Sequence, residues 1–439
     1  MAYQLIQMEK LFGTFPATDA AAWKARLEKD LKGITFDQLS LTDRNGIRIA
    51  PFYTAEDLPP SSAPAITHKD WYICASIAAE DAAAANKQAL DELNQGASGL
   101  HFVVGPATDP ATLLRDIELP YIYSRFSLSP ATLPFAGALK DFLQEKGWQQ
   151  DQMACFVSCD PIPAYLRGEA GGPDLALPPE NAICADASLF QNAGATPVYE
   201  LACALALLTE YLYRAEAGGQ LSRVCRLHLT LATDTGFFEQ IAKLRAVRRL
   251  VILLEAQYGI DIPLHLHVET SNIYRAPFDS YNNLLRDTIA GMAAVLGGCN
   301  SLYIRPFDET LQPGHPFSRR MSRNQQLIFK EESYLDKVAD AAAGSYYLEH
   351  LTETIAAKAW EAFKTIEAGG GLIAAYDNGT LCDTITQQAQ QLVREYKEGK
   401  RVLVGVNKFP NPEDEPKPLP PELPGGKGLK PLNLARELV

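Results

Sequence analysis

Three side chains at alternate positions, His265, His267 and Glu269, form the densest cluster of reactive groups in the chain. In an extended strand the side-chain period is two, so all three share one face while Leu264, Leu266 and Val268 take the other. Such a face could bind a metal, with two imidazoles and a carboxylate as ligands. A metal site needs a third or fourth ligand and an exposed position, however, and histidines two apart on a strand also serve as ordinary hydrogen-bonded interior groups. The same alternation puts His228 and Thr230 on one face of the preceding apolar run, and Tyr303 and Arg305 on one face of the following run. Gln191 is a further polar residue at the end of a short apolar run. The expectation is a polar interior built from His228, His265, His267, Glu269 and Arg305, with Gln191 beside it and no metal.

These runs belong to a regular series. Short β-branched or aromatic stretches alternate with longer amphipathic ones, the pattern of successive βα units. Eight strands are predicted: Trp71–Ile77, Leu100–Gly105, Pro120–Phe126, Ala154–Asp160, Ala182–Ser188, Leu227–Asp234, Leu264–Ser271 and Ser301–Asp308. Ile241, Leu244, Val251 and Leu254 recur at helical spacing, and Gly259 follows where a helix stops. A last helix carries Leu351, Ile355, Ala359, Trp360 and Phe363, whereas the connection from Pro161 to Glu180 is too rich in glycine and proline to promise a full helix. Eight units over about 300 residues match an α/β fold of the (β/α)8 type, a TIM barrel. An N-terminal arm with a helix near Ala20–Leu31 is expected at 1–65, the barrel at 66–409, and a proline-rich, charged linker or surface strap at 410–439.

Composition narrows the function. With 439 residues and 47% hydrophobic content the chain can bury a large core. Its net charge of −13 opposes nonspecific attraction to nucleic acid or anionic lipid. The eight cysteines form no CxxC pair, as expected for reduced, buried thiols in a cytoplasmic protein. No apolar run approaches the roughly 18 residues of a membrane span. No GxxxxGK[ST] loop is present to cradle a nucleotide. Arg319, Arg320 and Arg323 could clamp a phosphate, although such clusters are more often a solvated or salt-bridged face.

Certain phrases carry a resemblance: Tyr281-Asn282-Asn283 opening a helix, Phe307-Asp308-Glu309 closing a strand, and Glu331-Glu332-Ser333 running on to Gly344-Ser345-Tyr346-Tyr347. With Met8-Glu9-Lys10-Leu11-Phe12, Trp23, Pro51-Phe52-Tyr53-Thr54 and Gly405-Val406-Asn407-Lys408-Phe409, they make nearly the whole chain resemble the barrel region of the methylmalonyl-CoA mutase family. That resemblance implies rearrangement of acyl-CoA carbon skeletons with adenosylcobalamin. It also implies a tyrosine in strand one and a histidine after strand five, and here Ser76 and Leu189 occupy those positions, with Cys74 at a family arginine position. Arg167 lies near a family arginine but needs a one-residue shift to match it, so no role carries over. In the family a histidine two residues after an aspartate ligates cobalt, and none of the seven histidines here has that neighbour. The proline-rich tail resembles the linker that leads in relatives to a cobalamin-binding domain, so a shortened or naturally shorter form is expected.

The resemblance therefore points to the small, non-catalytic subunit of a heterodimeric mutase. It would pair with a large catalytic chain that binds most of the adenosylcobalamin, while this chain alone binds none and forms at most a homodimer. Two rivals stay open: a competent barrel that borrows a cobalamin domain from a separate chain, and a free-standing CoA-binding protein.

Overall fold

The computed structural model describes residues 18–58, 66–170, 172, 182–310, 314–413 and 428–438. Most of the Pro161–Glu180 connection after Ala170, the first 17 residues and the central part of the tail lie outside them. Eight parallel strands form one sheet: β1 (Tyr72–Ala79), β2 (Gly99–Val104), β3 (Tyr123–Ser127), β4 (Cys155–Ser158), β5 (Ala182–Asp186), β6 (Arg226–Thr233), β7 (Leu264–Thr270) and β8 (Ser301–Tyr303). The spatial order is β4-β3-β2-β1-β8-β7-β6-β5, so β8 pairs with β1 and the sheet curls into a barrel. Among the described residues, β4 and β5 are the neighbouring strands without a backbone ladder. Side chains close that seam: Cys184 Sγ lies 3.6 Å from the Val157 carbonyl, and the Asp186 amide donates to Asp160 Oδ2 at 2.7 Å. The chain is thus a (β/α)8 barrel, as its periodicity predicted.

Strand positions agree with expectation to within a few residues except in β8, which was expected to reach Asp308 and ends at Tyr303. The pattern continues past Tyr303, but the pairing does not. Pro306 has no amide to donate. The Arg275 guanidinium donates to the carbonyls of Arg305 and Pro306 at 3.0 and 2.6 Å, and Thr270 Oγ1 accepts the Arg305 amide at 3.0 Å. Side chains have replaced the ladder there, and Phe307-Asp308-Glu309 forms a turn. A turn of 3-10 helix at Leu119–Tyr121 likewise takes the start of the expected third strand.

Helices cover the outside. Those used below are α1 (Ala82–Asn94), α2 (Pro161–Leu166), α3 (Ser188–Asn192), α4 (Pro197–Ala217), α5 (Phe237–Tyr258), α6 (Tyr281–Leu296), α7 (Pro316–Leu327), α8 (Tyr346–Ala368) and α9 (Thr380–Lys397). The short α2 is all the helix described in the glycine- and proline-rich connection. In α5, Ile241, Leu244, Val251 and Leu254 are all buried, and Gly259 ends the helix at φ 63°, a left-handed conformation that costs glycine little. The main core lies between the outer faces of β5 to β7 and the inner faces of α4, α5 and α8. Burial of this apolar surface is the dominant stabilising term, at roughly 25 cal/mol per Å².

Described parts of the arm and of the tail both return to the face where the strands end. In the arm, the turn Asp43–Ile47 places Arg44 Nη2 3.1 Å from the carbonyls of Gly194 and Gln388, and Asn45 Nδ2 2.6 Å from Glu239 Oε1. In the tail, the amides of Leu429, Leu432 and Leu434 donate to the carbonyls of Leu166, Asn192 and Ile273 at 2.8, 2.7 and 2.9 Å. The described part of the tail is therefore a strap across the loops that follow β4, β5 and β7. No helix among the described residues is long and apolar enough to cross a membrane.

Candidate functional site

Active sites of (β/α)8 enzymes are built at the C-terminal ends of the strands, over a barrel interior filled by layers of side chains. In this chain the filling is polar and aromatic. Strand pairing sets His228 level with His265, Thr230 with His267, and His267 with Ser301. His265, His267 and Glu269 do share one face, and Leu266 and Val268 on the other face enter the core under the helices. Across the barrel, Tyr123 Oη is hydrogen-bonded to His228 Nε2 at 2.8 Å, and its ring stacks on His265 at 4.8 Å between centroids and 9° between planes. His228 and His265 stack in turn at 5.2 Å, with the Phe156 ring 4.7 Å from His228 and 5.0 Å from His265. Gly99 makes this possible: a Cβ there would lie 2.7 Å from Cys74 Sγ and 3.0 Å from the Tyr123 ring.

Hydrogen bonding organises the polar groups. His265 Nε2 and His267 Nδ1 lie 2.9 and 2.7 Å from the single hydroxyl of Ser301, which can donate to one and accept from the other. One layer up, Arg125 Nη1 donates to Thr230 Oγ1 at 3.0 Å and stands 4.0 Å from Glu269, while its Nη2 stands 4.0 Å from Asp186. Glu269 pairs with the Arg305 guanidinium, which also holds Glu309 at 3.1 Å. Burial pushes the Glu269 carboxyl up, but Arg305, His267 and Arg125 outweigh burial and hold it below the usual range. Burial also drives the imidazoles of His228, His265 and His267 below their ordinary value, so they are neutral near pH 7. At the mouth, burial raises Asp160 to about 7, where it accepts hydrogen bonds from Tyr211 and the Asp186 amide.

The structure thus brings together five of the six expected interior residues: His228, His265, His267, Glu269 and Arg305. Gln191 does not join them. It follows the end of β5 in the short helix α3 and turns toward the helical layer, where Lys243 Nζ donates to its Oε1 at 3.0 Å and its Nε2 donates to Asp234 Oδ2 at 2.8 Å. Ser76 is 3.5 Å from His101 in the barrel, Cys74 packs with Tyr123 and Tyr303, and Leu189 leans on the main core. Arg319 and Arg323 both bind Glu92 of α1, so that part of the arginine cluster is an ion-paired helix contact, while Arg320 is exposed. Arg167 pairs with Glu169 at the surface. Tyr123 and Arg125 were missed by the sequence reading. Their alternation around Ser124 is the same signal that marks β7.

Neither a metal nor a cobalt ligand is a natural fit. Among the described residues no group of three or more His, Cys, Asp or Glu side chains could hold a metal ion. Each histidine has a partner or packing role already: His68 bonds the Cys299 carbonyl, His101 Ser127, His228 Tyr123, and His265 and His267 Ser301. His315 caps α7 through Nδ1 with Nε2 3.6 Å from Asp308, and His350 packs on Tyr53. His228, His265 and His267 are fully enclosed in the barrel interior among Tyr123, Phe156 and Ser301, a setting that does not fit a lower cobalt ligand.

Fold and interior define a (β/α)8 barrel whose axis is packed with polar and aromatic side chains from the strands. The family model described as methylmalonyl-CoA mutase matches residues 174–424. The chain is 30% identical over 443 residues to the methylmalonyl-CoA mutase small subunit of Porphyromonas gingivalis, covering 92% of this chain and 72% of that protein. It is 30% identical over 464 residues to the small subunit of Streptomyces virginiae, covering 95% and 75%. The methylmalonyl-CoA mutase of Cereibacter sphaeroides is 28% identical over 466 residues, covering 91% and 65%. This chain belongs to the methylmalonyl-CoA mutase family.

Proposed function

We propose that this chain is the small, non-catalytic subunit of a heterodimeric, adenosylcobalamin-dependent methylmalonyl-CoA mutase, which interconverts methylmalonyl-CoA and succinyl-CoA. The observation that carries this reading is the filled axis. In catalytic members the resemblance implies an interior lined by small hydroxyl side chains, through which the pantetheine arm threads. Here Tyr123, Phe156, His228, His265 and His267 stack across that path. Opening it would break the Tyr123–His228 and Ser301 hydrogen bonds and expose buried aromatic surface, with nothing in the site to compensate.

Leu189 and Ser76 support the same reading. A leucine can neither donate a proton nor be recruited to do so, and loss of a positioned acid typically costs about 10²–10⁴-fold in rate. The partner is a large chain of the same family that carries the catalytic groups and binds the cofactor; the names of the small-subunit relatives support such a pairing. In this division the arm occupies 1–65, the barrel 66–409 and the tail 410–439, and the chain's work is to brace its partner's barrel.

The test is turnover. Purified chain supplied with adenosylcobalamin, a separate corrinoid-binding chain and methylmalonyl-CoA should form no succinyl-CoA, and titration with CoA should give no binding heat. Turnover would establish the rival reading, a competent barrel that borrows its cobalamin domain. CoA binding without turnover would favour a free-standing CoA-binding protein.

A further inference from the structure

The outer surface of α6 is more completely apolar than that of α5, where Gln257 is exposed beside Phe238, Ile252 and Leu253. Every exposed residue of α6 is apolar: Tyr281, Leu285 and Ile289, at 64, 62 and 41% exposure, one turn apart on a single line. Its two charged residues are engaged elsewhere. Asp287 is buried against Arg275 at 2.7 Å, and Arg286 bonds Asn283 and the Val404 carbonyl. By contrast α8 shows solvent Glu353, Glu361 and Lys364, as a solvated barrel helix should.

The neighbouring helix α7 extends the same surface. Gln325 Nε2 donates to the Leu284 carbonyl and to Thr288 Oγ1, both at 2.7 Å, and Phe307 bridges Tyr281 and Phe317 with centroids 5.2 and 6.1 Å away. These contacts hold the two helices side by side and parallel. Phe317 and Ile328, 46 and 45% exposed, therefore flank the α6 line at its two ends. Five large apolar side chains at about half exposure offer on the order of 100 Å² each. Their sum, about 500 Å², is in the upper part of the roughly 300–600 Å² of a monomer's largest apolar patch, a size that is often functional. It is also the larger part of the roughly 800 Å² that each partner contributes to a standard stable interface.

We propose that the α6–α7 face is the surface on which the large mutase chain docks, with Tyr281, Leu285 and Ile289 as its central anchors. This rests on the small-subunit reading and adds the location of the contact. The polar rim is supplied by Arg320, exposed one turn after Phe317. A barrel wall is a rigid platform, so the face needs little ordering on association.

The test compares the full chain with L285E/I289E and with I252E, which changes an equally exposed apolar residue on α5. Each is titrated against a large-subunit chain of the family and followed by analytical ultracentrifugation. The wild type and I252E should form a one-to-one complex, and L285E/I289E should bind at least about 100-fold more weakly. The isolated double variant should melt within about 2 °C of the wild type, because its substitutions are on an open surface. Undiminished binding by L285E/I289E would overturn the location while leaving the subunit reading intact. Self-association of the wild type that the double variant abolishes would assign the face to a second copy instead. A large fall in melting temperature would mean that the chain's own residues cover the face. If the wild type binds no large chain at all, the subunit reading itself fails, and the docking proposal with it.

Discussion

At the scale of single residues, neutrality of the buried imidazoles is the property with a measurable consequence. His228 is fully buried and held below its ordinary pKa, first by burial and then by Arg125 and the neighbouring histidines. In the unfolded chain it takes a proton near its ordinary value of about 6.5. The unfolded state therefore binds more protons as pH falls below that point, and stability contributed by neutral His228 is present above it and lost beneath it. His228→Phe removes this linkage while leaving Tyr123 without its hydrogen bond. The variant should be less stable than wild type at pH 8, and the gap should close by up to about 1.4 kcal/mol per pH unit below pH 6. Urea titrations at pH 5, 6 and 8 measure it; a gap independent of pH would mean that folding does not lower the His228 pKa. The residues behind this prediction were legible because alternation in β6 and β7 assigns faces. Gln191 was misread for the converse reason: it lies beyond the end of its strand, on a helical turn where a period of two no longer holds.

At the scale of elements, α4 and α5 are tied together by a buried charge pair. Lys243 Nζ donates to Glu200 Oε2 at 2.7 Å, to Gln191 Oε1 at 3.0 Å and to the Ala232 carbonyl, with no part of either charged side chain exposed. Burial pushes the Glu200 carboxyl up, and Lys243 opposes it. Removing one partner strands the other, so Lys243→Met should cost about 3–5 kcal/mol. The double variant E200L/K243M should cost distinctly less than the single one, and a double-mutant cycle by chemical denaturation reads the difference. A double-variant cost equal to the sum of the two single-variant costs would show that the pair is not coupled. Sequence periodicity located α5, but nothing in a linear pattern announces that Lys243 points inward. The end of β8 was hidden for a similar reason, since Arg275, thirty residues upstream, supplies the hydrogen bonds that replace its ladder.

At the scale of the molecule, the proposed non-catalytic role rests on two separate features, Ser76 and Leu189 at the positions discussed above and the filled axis. Restoring the first does not undo the second. The double variant S76Y/L189H, assayed with adenosylcobalamin and a corrinoid carrier, should therefore remain without turnover, because the stack of Tyr123, Phe156 and the histidines still occupies the path. Activity in that variant would show that the axis opens readily and that only those two substitutions silence the chain. The arm turn at Arg44 and Asn45 and the tail strap at Leu429–Leu434 add a second obstacle, since both lie over the strand ends where substrate would enter.

The barrel was readable from the chain alone because each βα unit carries its own local pattern: apolar alternation, then helical spacing, then a glycine stop. The faces of β6 and β7, the absent cobalt-ligand pattern and the replaced family side chains were equally local, each judged from a few neighbouring residues. What those faces meet was not. Tyr123 reaches His228 across 105 residues of sequence, and Arg125 reaches Thr230 across the same span. Only closure of the sheet decides which side chains share the axis, because packing across a barrel depends on strand register and tilt, and neither is written in any one segment.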